Sequence, residues 1–175
     1  TYAGTSGISK ISAGATLSTG ADVIAAIRAG MSKMDEDEVD ANNRYLFITP
    51  TLYGMIRDLD TTKSKEDMDT TKSKEVLKNF AGIQKVPQTR FYTAIDQYDG
   101  STTGEEAGGY IKTATTGADI NFMIIEKSAV IQFPKHIAPK IITPDVNQDA
   151  DAYKFGYRNV GIADAYENKV AGIYL

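Results

Sequence analysis

An α+β fold closed by a C-terminal β-hairpin is the class this sequence predicts, and three observations predict it. Apolar residues recur at helical spacing in two stretches, Val23, Ile24, Ile27, Met31 and Met34 in one and Leu52, Met55, Ile56 and Leu59 in the other. Short β-branched and aromatic runs stand between and after them, notably RYLFIT at 44–49 and INFMIIE at 120–126. Near the end, Tyr153, Phe155 and Tyr157 alternate strictly, as one face of a strand requires.

Taken in order, residues 1–18 are small and polar and read as an arm or linker. Thr19 is placed to cap the first helix, with Asp22 in its first turn, and the acidic segment Asp35–Glu38 ends it. RYLFIT then reads as a buried strand. Thr49 and Pro50 follow as an N-cap with proline at the first helical position, so the strand passes directly into the second helix. DTTKSKE occurs at Asp60–Glu66 and again at Asp69–Glu75, a polar tandem repeat with nearly balanced charge. Two polar copies build no solenoid, and the repeat reads as a solvated surface insertion or polar helix face. Helical residues resume at Val76, Leu77 and Phe80. Beyond Gly82 the pattern predicts strands at IQKVP and RFYTAI (90–95), a long loop DQYDGSTTGEEAGG, the strand INFMIIE, a short helix KSAVIQF (127–133) stopped before Pro134, and a strand PKIITP (139–144). Val160 and Ile162 fall on the opposite parity from Tyr157, which predicts a β-bulge near Gly161 or Asn159. Glu167–Lys169 should then turn the chain into a final strand ending at Leu175.

Composition narrows the function. Of the 175 residues, 42% are hydrophobic, and a chain of this length hides about 70% of its unfolded surface on folding. Lys and Arg number 19 against 23 Asp and Glu, a formal net charge of -4, and no basic run marks a dedicated nucleic-acid-binding domain. Cysteine is absent, which removes disulfides, thiolate zinc sites and cysteine nucleophiles. No stretch approaches the ~20 apolar residues of a membrane span, and the opening TYAGTSGISKISAG lacks the basic start and apolar run of a signal peptide. A soluble, unexported protein with no membrane partner is expected. The start at Thr1, within a Gly/Ser/Thr-rich stretch, points to a processed or truncated product.

No catalytic, cofactor-binding or metal residue set emerges. His136, the single histidine, stands in PKHIAP and reads as a surface residue. No GxSxG elbow surrounds any serine. Asp145, Asn147, Asp149 and Asp151 imitate the first half of an EF-hand loop, but Ala150 stands where its glycine belongs and Gly156 where its closing glutamate belongs, so a polar turn is expected. Asp35–Asp40 reads as a solvated helix end. The glycines of Gly100–Gly109 have the wrong spacing for a phosphate loop, and YENK (166–169) is one residue short of a Tyr-x-x-x-Lys pair. These expectations are no enzyme, no cofactor and no metal.

In sequence order, ADVIAAIRAGMSKM, NRYLFITPTLYGMIRDL, GIQKVPQTRFYTAI, INFMIIEKSAVIQFPKH and YKFGYRNVGIADAYENKVAGIYL resemble segments of the major capsid proteins of tailed phages and prophages with the Hong Kong 97-like fold. The resemblance covers most of residues 20–175. It implies an N-terminal linker or arm remnant at 1–19, an axial-type α+β domain at 20–137, and peripheral-domain strands with the C-terminal β-hairpin at 138–175. It further implies a structural subunit that forms hexamers and pentamers with itself, meets a scaffolding protein and a portal, touches packaged DNA only non-specifically, and resides in a virion capsid assembled in the bacterial cytoplasm. The long spine helix and extended loop of that family have no counterpart before residue 20. An encapsulin-type nanocompartment shell protein is the alternative within the same fold, and a small-molecule hydrolase or binding domain using the 96–109 loop is the alternative outside it.

Overall fold

A computed structural model describes residues 14–59 and 76–175. The tandem repeat and most of the N-terminal arm lie outside the described residues. Two compact units result, Thr1–Ala129 with Glu167–Leu175 in one and Val130–Tyr166 in the other. The axial and peripheral segments expected at 20–137 and 138–175 are defined by the capsid resemblance; these units are defined by contact within the chain.

The first unit is α+β. Helix α1 (Gly20–Glu36) begins at a full capping box: Asp22 N–H donates to Thr19 Oγ1 at 3.2 Å, and Thr19 N–H donates to Asp22 Oδ2 at 3.0 Å. Its apolar stripe buries Val23, Ile24, Ile27 and Met34. Strand β1 (Arg44–Ile48) leads through Thr49 into helix α2 (Pro50–Asp58), with proline in the first turn as expected. The Thr49 hydroxyl makes no capping bond; its amide donates to Asn121 O at 3.3 Å. Residues 76–78 are helical, and Val76 and Phe80 are buried. Strand β2 (Gly82–Lys85) then runs parallel to β1.

After a short 3-10 turn at Gln88–Arg90 come β3 (Ile95–Tyr98) and β4 (Gly109–Lys112), paired antiparallel as a separate two-stranded hairpin. Strand β5 (Phe122–Glu126) returns antiparallel to β1, and β8 (Ile173–Tyr174) pairs with β5. The central sheet therefore has the order β2-β1-β5-β8. In β1 and β5 alternate residues are fully buried, so Leu46, Ile48, Phe122 and Ile124 form one core with α1, α2 and Tyr174. The Tyr174 ring stacks on Phe122 at 6.1 Å between centroids, and burial pushes its hydroxyl pKa up. Gly30 lets that ring approach, since a Cβ there would lie 2.7 Å from it.

The second unit is a two-stranded ribbon, β6 (Val130–Ile142) antiparallel to β7 (Lys154–Ala165). It corrects several expectations. KSAVIQF is no helix beyond a 3-10 turn at Lys127–Ala129, and PKIITP is the far end of β6. Proline argued against a continuous strand, yet every strand of a two-stranded ribbon is an edge, where half the amides face outward and proline costs no ladder bond. The register shift lies between Pro134 and His136 on β6, facing the predicted Gly161 region from the other strand. RFYTAI is not a strand either; only its last residue belongs to β3, which continues into the expected loop. The hairpin of the C-terminal region is the ribbon itself. Glu167–Gly172 is 3-10, and the terminal strand joins the central sheet.

Candidate functional site

The polar residues singled out by the sequence are spread over the ribbon, the end of α1, the 99–108 loop and the segment after the ribbon. His136 stands on β6 opposite Val160, beside the register shift. In the ribbon turn, Asn147 Nδ2 donates to Ala152 O at 2.8 Å and Lys154 Nζ pairs with Asp149 at 3.1 Å. That is turn chemistry with an exposed ion pair. Asp35–Asp40 closes α1: Lys33 pairs with Asp37 at 2.6 Å, which raises the lysine pKa, and Asp40 accepts from Asn42 N–H at 3.0 Å and Asn43 Nδ2 at 3.0 Å, which lowers its own. Of the YENK residues, Lys169 donates to Ser128 Oγ at 2.9 Å. Among the described residues no group of three or more His, Asp or Glu side chains is placed to hold a metal ion.

The 99–108 loop is built from its own carboxylates. Asp99 accepts from Ser101 N–H at 2.7 Å and from Thr102 N–H and hydroxyl, both at 2.8 Å, and these bonds hold its carboxyl well below the usual range. Glu106 accepts from Gly104 N–H at 2.9 Å and is lowered for the same reason. Gly100, Gly104, Gly108 and Gly109 all adopt positive φ, which explains the glycine spacing without any phosphate.

Among the clefts of the first unit are two that combine polar and apolar walls. One, of about 390 Å³, lies between Glu38, Asp40, Glu126, Ser128 and Lys169. The buried Glu126 carboxylate accepts from Ser128 N–H at 2.9 Å and Ser128 Oγ at 2.6 Å, so it pins the chain where β5 ends. The other, of about 480 Å³, is lined by Thr89, Arg90, Tyr92, Ile95 and Tyr110 beside the β3–β4 hairpin. Sequence reasoning missed this cleft because it took Arg90 and Tyr92 for members of one strand. The turn at 88–90 and the bridge between Tyr92 and Asp119 interrupt that run, and Arg90 and Tyr92 line one cleft with Tyr110.

The ribbon offers the most exposed apolar surface. On its outer half, Ile137, Ile141, Phe155 and Tyr157 share one face, while Lys140, Arg158 and His136 share the other. Past the register shift the apolar residues change sides, to Phe133 and Ile162. Phe155 is 75% exposed and Tyr157 70%, in a contiguous row of the kind that marks an interaction surface.

No family model and no curated protein matches the chain. A solved structure from Mycobacterium phage Che8 is similar to it, with a TM-score of 0.57 and 13% identity, over 96% of this chain and 52% of that one. The chain thus spans about half the length of the structure it matches, and at this identity the likeness is one of fold.

Proposed function

We propose that the chain is part of a structural subunit of a phage or prophage icosahedral head, with the Hong Kong 97-like fold, which joins copies of itself into hexamers and pentamers that enclose DNA. The observation that carries this reading is the similarity of fold to a phage protein over 96% of the chain. The ribbon supports it, because apolar rows on both faces of a two-stranded element suit a subunit that is completed by its neighbours. The polar residues support it too: carboxylates at 22, 40, 99 and 106 serve caps and turns. The subunit is a non-enzymatic building block with no cofactor. Its partners are other copies of itself, together with a scaffolding protein and portal during assembly, and packaged DNA is met without sequence preference. It resides in the virion capsid after assembly in the bacterial cytoplasm. The phage likeness favours this over a nanocompartment shell. Electron microscopy of the longest natural polypeptide, expressed with its neighbouring genes, tests the proposal. Closed icosahedral shells are expected, and a protein that stays monomeric under all these conditions overturns it.

A further inference from the structure

The β3–β4 hairpin has an acidic tip and is bordered by a cleft that holds an arginine. Its tip loop holds Asp99, Glu105 and Glu106, and no Lys or Arg stands between Asp96 and Ile111. Beside the hairpin the 480 Å³ cleft is lined by Arg90 together with Tyr92, Ile95 and Tyr110, and Tyr110 is 67% exposed. Lys112 adds a second cation over the Tyr92 ring at 5.6 Å, but it is already paired with Asp119 at 3.0 Å. Arg90 has no ion-pair partner among the described residues.

An arginine flanked by tyrosines is a preferred receptor for a carboxylate, because the guanidinium offers paired donors and the rings exclude water around them. The hairpin's own acids are not paired with it: among the described residues no ion pair joins Arg90 to Asp99, Glu105 or Glu106, and Asp99 and Glu106 are held by amides of their own loop. What the cleft fits, the tip of a second copy supplies.

We propose that the acidic tip loop of one copy docks in the Arg90–Tyr92–Tyr110 cleft of the next, a head-to-tail contact between copies of this chain. It rests on the shell-subunit reading and names one contact within it. Donor and acceptor are different surfaces of the same chain, so the contact is heterologous and propagates around a ring or along a row, as capsomer formation requires. The tip is ordered before docking, since the Asp99 and Glu106 carboxylates already fix the loop backbone, and little conformational freedom is lost on contact.

Because the chain has no cysteine, single introduced thiols report the contact cleanly. One chain carries Thr89→Cys at the cleft and another Thr103→Cys at the tip, and the two are mixed with a short bismaleimide. The mixed Thr89–Thr103 product is expected to exceed either like-with-like product. Adding Arg90→Glu to the first chain lowers its yield about tenfold, the order expected for loss of a close interfacial charge pair. Adding Glu105→Lys to the second chain, which leaves the Asp99 and Glu106 loop bonds in place, then restores it. Circular dichroism verifies that each variant is folded, and Arg90→Gln serves as the milder substitution, with a smaller loss. A mixed product no more abundant than the like-with-like products overturns the contact, as do charge reversals without effect. Shells that form normally from the longest natural polypeptide carrying Arg90→Glu would also overturn it while leaving the shell reading intact.

Discussion

Arg44 shows how much of this fold depends on one polar side chain. It is among the most buried residues, at 1% exposure, yet it sits at the start of a strand. Its guanidinium donates to Val39 O at 2.6 Å, Asp40 O at 3.2 Å and Met31 O at 3.4 Å, and pairs with Asp35 at 2.7 Å. It thereby satisfies the carbonyls of Val39 and Asp40 in the turn after α1 and ties that turn to Met31 within the helix. Arg44→Ala should destabilise the protein by about 2–4 kcal/mol in urea unfolding, since it strands those acceptors and removes packed methylenes. The ion pair is the smaller part, because the Asp35 side chain is 61% exposed. Asp35→Asn should therefore cost less than about 1 kcal/mol, and equal losses from the two substitutions would contradict this division. Asp99 makes a pH prediction at the same scale. Its folded pKa is depressed from 3.8 by bonds from Thr102 and Ser101. The order it gives the loop is complete above 3.8 and is lost as pH falls through the lower folded value. In an NMR titration the Ser101 and Thr102 amide shifts should move only below the pH where a free aspartate titrates. Asp99→Asn should abolish that step, and a midpoint at or above 3.8 would show that the loop bonds do not hold the carboxylate.

Two glycines give opposite predictions at the scale of elements. At Gly20, the first residue of α1, a Cβ would lie 2.3 Å from Met55 O and 2.8 Å from Leu59 Cγ, so this glycine is what lets α1 approach α2. Gly20→Ala should destabilise by about 1–3 kcal/mol through this clash. Gly54 lies within α2 with nothing within 4 Å of its Cβ position. Gly54→Ala should stabilise by about 0.5–1 kcal/mol, because it only removes backbone freedom from the unfolded chain. Thermal melts of both variants check the pair, and shifts of the same sign would refute the packing argument. The same scale shows what was legible beforehand. α1 could be read to within a residue because its cap, its stripe and its acidic end are all local signals, and β1 with Pro50 likewise. The end of the chain could not. β8 has two residues, and its place is set by Ile125 and Ile124, some fifty positions earlier, so Ile173 and Tyr174 looked equally suited to a local hairpin. For the cleft, Arg90 and Tyr110 share one lining although they are far apart in sequence, and no spacing in the sequence announces that. The acidic loop was visible as a loop, but not as one tied by its own carboxylates.

For the whole molecule, the segment after the ribbon matters more than the ribbon does to the first unit. Ile173, Tyr174 and Leu175 are buried, and Tyr174 contributes both a fully buried ring and the stack on Phe122. Gly172 packs so closely on Ala129 that a Cβ would come within 2.9 Å, and Lys169 binds Ser128. These contacts tie Glu167–Leu175 to the end of β5 independently of what lies between. Val130 and Ala165 are directly paired, so the ribbon leaves and re-enters at one point. Replacing residues 131–164 by an Asn-Gly turn, which suits a two-residue connection between antiparallel partners, should leave the first unit cooperatively folded. Its unfolding free energy should stay within about 1 kcal/mol of the parent, because the ribbon is an autonomous unit of contact. Ending the chain at Tyr166 should do the reverse, since it empties the core of an aromatic ring and two aliphatic side chains and costs more than about 4 kcal/mol. Urea unfolding followed by circular dichroism separates the two. If the ribbon-free variant were insoluble or lost cooperativity, the central sheet would depend on the ribbon for its stability. If the variant ending at Tyr166 stayed folded, the terminal strand would be a peripheral addition and the core would have to close without Tyr174. The expected outcome is a central sheet that closes on its own C-terminal strand and keeps its stability without the ribbon.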